Sequence, residues 1–85
     1  MISPNQGGMT MLGSRIAALR REAGLSQREL AVALSVSTSA IGMYEQGRRE
    51  PSVDRLIALS RLFGVSTDYL LTGQVYGSQR RLPQS

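Results

Sequence analysis

Apolar residues recur at three- and four-residue intervals along most of this chain, the spacing that lines one face of a helix. The breaks in that rhythm fall on residues that start or stop helices. A first helix is expected over about 13–23, with Leu12, Ile16, Leu19 and Ala23 facing inward and Arg15 and Glu22 outward. Gly24 ends it, and Leu25 follows where the hydrophobic contact of such an end belongs. Ser26 followed three residues later by Glu29 forms a capping box, so a second helix starts at Gln27. Its Leu30, Ala31 and Leu34 keep helical spacing until Ser35, Val36 and Ser37 interrupt with turn and cap chemistry. Ser37 caps a third helix over about 38–46, closed by Gly47. Val36, Ile41 and Tyr44 lie on its inner side, and Thr38, Ser39, Gly42 and Met43 on its outer side. Pro51 keeps the residue before it out of helical geometry, so the stretch from Arg48 to Pro51 is a loop. Ser52 then caps a fourth helix whose Val53, Leu56, Ile57, Ser60 and Phe63 pattern runs to Gly64. Ser66 caps a short fifth helix that folds Tyr69 and Leu70 back onto the core. The expected fold is all-α, five helices over residues 12–73. Residues 1–11, with Pro4, Gly7 and Gly8 and no period, read as a disordered leader in which Met9 or Met11 is an alternative start. Residues 74–85, QVYGSQRRLPQS, read as a flexible basic tail.

Eighty-five residues make one domain, and at this size about 60% of the unfolded surface is buried on folding. Cysteine and histidine are both absent, which removes disulfides, thiolate zinc sites and the usual nucleophile–base pairs. The serines have no base partner in the pattern, so no enzyme, no cofactor and no metal is expected. No apolar run approaches the roughly 20 residues of a membrane helix, and the opening MISPNQGG lacks the basic and apolar regions of a secretory signal. A cytoplasmic location is expected. The net charge is +4, from ten arginines and six acids. Glu29 is committed to a cap, and Asp68 sits in a first helical turn where the helix dipole favours it. Arg28, Arg48 and Arg49 are left uncompensated around the second and third helices, which points to a polyanionic partner.

The segment Leu25 to Ser52 resembles the helix-turn-helix of the phage-repressor and Cro-like family, the xenobiotic-response-element family of bacterial regulators. The resemblance runs from about Leu12 to Gly73. It is carried by the L-S-Q-x-E-L-A opening, the small-residue turn, the I-x-x-Y-E-x-G close, Pro51 and the G-V-S-x-D-x-L-L ending at Leu71. It implies a lambda-repressor-like domain whose third helix enters the major groove of double-stranded DNA. Two positions depart from the family's habit. Ser35 stands where the family commonly has glycine, and Thr38 and Ser39 stand where glutamine or arginine is frequent.

The roles the resemblance and the helix physics imply fall into three groups. Phosphate contacts are expected from Gln27 and Arg28 at the start of the second helix, Ser37 at the start of the third, and Arg48 and Arg49 after it. Base reading is expected from Thr38, Ser39, Gly42 and Met43; none of these offers the bidentate arginine fork, so readout is modest and aided by DNA shape. Arg20 and Glu45 match a family ion pair that holds the recognition helix on the scaffold. The tail is either a solvated terminus or a basic arm carrying Arg80 and Arg81 into a neighbouring groove. Tyr69, Leu71, Val75 and Tyr76 are candidates for a dimer patch, although Tyr69 equally suits the core. The expected function is a transcriptional repressor that binds an inverted repeat as a homodimer. The alternative is an antitoxin-like regulator whose main partner is another protein.

Overall fold

Four serines start four of the helices. In the computed structural model, which describes residues 4–74 and side chains within 12–74, the helices are α1 (Pro4–Glu22), α2 (Gln27–Leu34), α3 (Thr38–Gln46), α4 (Val53–Phe63) and α5 (Thr67–Thr72). Ser26, Ser37, Ser52 and Ser66 hold extended backbone, and each hydroxyl accepts the N–H three residues on, at 2.9–3.2 Å. Each such cap is worth about 1 kcal/mol. At Ser26 the box is complete, because the Glu29 carboxylate accepts the Ser26 N–H at 2.8 Å. The same four helices end on left-handed residues, three of them glycine and one Ser35 at φ 59°. Ser35 takes a conformation that costs a residue with a Cβ roughly 1 kcal/mol, and it does so at the turn between α2 and α3.

The core takes one fully buried large side chain from every helix: Ile16, Leu30, Ile41, Leu59 and Leu70. Burial of each is worth about 1.5–3 kcal/mol. Ala31, Leu34, Ala40 and Tyr44 complete the cluster, and Leu12, Leu19, Val36, Phe63 and Val65 pack against it half-buried. α3 lies against α1 and α2, while α5 closes the other side on α1 and α4.

Four expectations about faces and ends are corrected. α1 begins at Pro4 rather than near Gly13, so the expected leader is helical from Pro4 onward. Proline suits a first helical turn, where its missing N–H has no partner to lose. Ala23 lies exposed just past the helix end instead of in the inward stripe. Arg15 does not face out: it is half-buried, its Nη1 donates to the Leu70 carbonyl at 2.9 Å, and its guanidinium sits 5.6 Å from the centroid of the Tyr69 ring. In α4, Val53 and Ile57 are 71% and 40% exposed, and Leu59 is buried in their place. That helix carries apolar residues on more than one side, and packing against α2 and α5 selects the Leu59 side. Val75, Tyr76, Arg80 and Arg81 lie outside the described residues.

Candidate nucleic-acid interface

α3 is held by its last turn. Arg20, near the end of α1, grips Glu45 with both edges of its guanidinium: Nε donates to Oε2 at 2.6 Å and Nη2 to Oε1 at 3.1 Å. Its remaining Nη1 donates to the Leu25 carbonyl at 3.0 Å. Gln27, the first residue of α2, donates its side-chain amide to the same Glu45 Oε1 at 2.9 Å. One carboxylate thus joins α3 to α1 and to the start of α2. The side chains of Arg20 and Glu45 are only 12% and 7% exposed, where a forked pair with its remaining polar atoms satisfied is far less screened than a surface pair. Burial works to raise the Glu45 pKa, but the hydrogen bonds from Arg20 and Gln27 and the charges of Arg20 and Arg21 outweigh it. The carboxyl is held below its ordinary value. The hydrogen bond to Glu45 raises the Arg20 pKa, and nearby charge adds to it against burial.

Gly13 supplies the second mount. A Cβ at this buried position would lie 2.5 Å from the Tyr44 carbonyl oxygen and 2.6 Å from that of Glu45, so the α1 backbone rests directly on the last turn of α3. Gly13 and Arg20 are seven residues apart, two helical turns on one face.

The opposite face of α3 is free. Thr38 and Ser39 are exposed in its first turn, while Gly42 and Met43 are half-buried one turn on. Thr38 and Gly42, and likewise Ser39 and Met43, are four residues apart and therefore adjacent on the surface. The Ser37 hydroxyl caps the helix as an acceptor and keeps its own hydrogen to donate. Ser37 and Arg49 are brought together in a groove of about 410 Å³ between the starts of α3 and α4, with Glu50, Ser52 and Arg55 also on its walls. Arg28, Arg48 and Arg49 are exposed, and Arg48 Nη1 reaches Gln46 Oε1 at 3.4 Å. Gln27 is half-buried and spends one amide hydrogen on Glu45, which leaves its second hydrogen for another acceptor.

The roles of Gly13 beneath α3 and of Arg55 beside the turn before it were not visible in the sequence. Gly13 sits where a helix simply begins its apolar stripe, and only the crossing with α3 explains it. Arg55 is the third residue of α4, and its Nη2 reaches back 3.4 Å to the Ser35 carbonyl in the turn between α2 and α3. The one readable signal was the Ser52 cap, which fixes the direction in which α4 leaves the loop.

Two short helices joined through Ser35–Ser37, the second pinned by its C-terminal turn with its first turn exposed, define a helix-turn-helix protein. The model of the helix-turn-helix family matches residues 16–70, and the chain belongs to that family, of the xenobiotic-response-element type. ImmR, an HTH-type transcriptional regulator of Bacillus subtilis strain 168, is 43% identical over 60 residues, which are 71% of this chain and 47% of ImmR. The chain therefore spans about half the length of that relative. The crystal structure of the c2 repressor of Salmonella phage P22 in complex with a synthetic operator is similar with a TM-score of 0.71 and 38% identity, covering 74% of this chain and 96% of that one. The restriction-modification controller protein C.AhdI from Aeromonas hydrophila has a TM-score of 0.67 at 29% identity, over 73% and 94% of the two chains.

Proposed function

We propose that this chain is a sequence-specific DNA-binding transcriptional regulator, a repressor that occupies an inverted repeat as a homodimer in the bacterial cytoplasm. The observation that carries this reading is the mount of α3, pinned through Glu45 to α1 and α2 while Thr38 and Ser39 remain exposed. A helix held in this way presents its first turns to base edges in the major groove. Gln27, Arg28, Ser37, Arg48 and Arg49 then take the phosphates that fix register, and Thr38, Ser39, Gly42 and Met43 face the bases. The likeness to the operator-bound P22 c2 repressor supports the same placement. With no arginine or amide fork in the first turn of α3, a single half-site is read weakly, and two are needed for useful specificity. Selection from a random duplex pool tests the whole reading. The expected product is an inverted repeat with half-site centres about 34–36 Å apart. Failure to enrich any sequence overturns it.

One observation favours a second reading, an antitoxin-like regulator with a protein partner. Val53, Ile57 and Leu62 of α4 and Leu71 of α5 are large apolar residues that the fold leaves 40% exposed or more. In the first reading such surface serves the homodimer. Sedimentation on the selected DNA separates the two: a strictly monomeric complex removes the homodimer and leaves this surface to a partner.

A further inference from the structure

Gly13 and Gly42 both lie inside helices, where glycine is a poor helix former. For Gly13 the chain itself gives the reason, since a Cβ would strike the α3 carbonyls. For Gly42 it gives none. Among the described residues a Cβ built there meets nothing within 4 Å, and Gly42 does not have a positive φ, so neither their packing nor backbone conformation demands glycine. What the missing side chain leaves is a notch in the outer face of α3. Its helical neighbours are Thr38 and Ser39 one turn before, exposed and uncharged, and Glu45 and Gln46 one turn after, where the Glu45 carboxylate is taken up by Arg20 and Gln27.

We propose that this notch receives the 5-methyl group of a thymine, which makes Gly42 a specificity-determining residue. The inference rests on α3 entering the major groove, and it names one base that α3 reads there. The walls carry no cation to draw in a phosphate. The apolar group that stands out from the major-groove edge of a base pair is the thymine methyl, and it distinguishes T·A from C·G at a position where no hydrogen-bonding fork is available. A Cβ at residue 42 would occupy the space that this methyl fills.

The test is an exchange of methyl groups between protein and DNA. The probe is the duplex that the wild-type protein selects from a random pool, remade with deoxyuridine in place of each thymine in turn, which removes the 5-methyl and nothing else. Wild-type protein is expected to lose about fourfold in affinity at one thymine per half-site, the worth of one buried methyl-sized group. Gly42→Ala meets open space within the chain and improves helix propensity, so it is expected to fold with a Tm about 4–8 °C higher. On the selected duplex it is expected to bind about tenfold more weakly, and the same deoxyuridine that harms wild type is expected to restore part of that loss. If deoxyuridine costs nothing at any position, or if the methyl effect is the same in Gly42→Ala as in wild type, the notch does not read thymine. A selection that enriches no sequence at all instead removes the DNA-binding reading beneath it.

Discussion

Glu45 concentrates more of this molecule's design than any other residue, because one carboxylate accepts hydrogen bonds from both other helices of the recognition unit. Its depressed pKa carries a definite sign. A carboxyl that ionises more easily in the folded state adds stability above its unfolded value of about 4.3, and that stability disappears as the pH falls through the lower folded value. Wild type and Glu45→Gln should therefore differ in urea midpoint near neutrality and converge in acid. A difference that persists unchanged at the lowest pH would mean that packing, not charge, sets the effect. A double-mutant cycle through Arg20→Ala and Glu45→Ala should give a coupling above about 0.5 kcal/mol, and strict additivity would deny the pair any energetic role. The pairing was implied by family resemblance alone. The third partner, Gln27, was expected at a phosphate, and its bond to Glu45 in the last turn of α3 was not foreseen.

Among the elements, α1 is the frame on which α3 is set, touching it at Gly13 through backbone and at Arg20 through charge. Gly13→Ala should force the helices apart and cost about 1–3 kcal/mol, the usual range for overpacking a tight core. Chemical denaturation measures this directly, and an unchanged midpoint would show that α1 shifts without penalty. The ends of α2 to α5 were legible because their causes are local. A serine and the N–H three residues on, or a residue that tolerates positive φ, lie within one short window of sequence. The inward face of α4 was not legible. Leu56 and Phe63 fix the middle of the apolar face, with Val53 and Ile57 to one side of it and Leu59 to the other, and contact with α2 and α5, absent from any local window, decides for Leu59. The same limit hid Arg15, whose charge suggests solvent. Its partners are the Leu70 carbonyl, fifty-five residues away, and the neighbouring Tyr69 ring.

At the scale of the whole molecule, charge and shape combine. The exposed arginines Arg28, Arg48 and Arg49 are expected to give two or three phosphate contacts per subunit, so a dimer makes about four to six. Log affinity against log salt should then slope roughly −4 to −5. Affinity that does not change between low and physiological salt would remove the phosphate assignments while leaving the fold untouched. Each helix from α2 to α5 is delimited by its own serine and its own left-handed residue, so its start, stop and register are encoded inside its own span. Helices this short are marginal in isolation, yet each fluctuates with its ends already chosen. Long-range contact has only to select among correctly framed segments, not to define them.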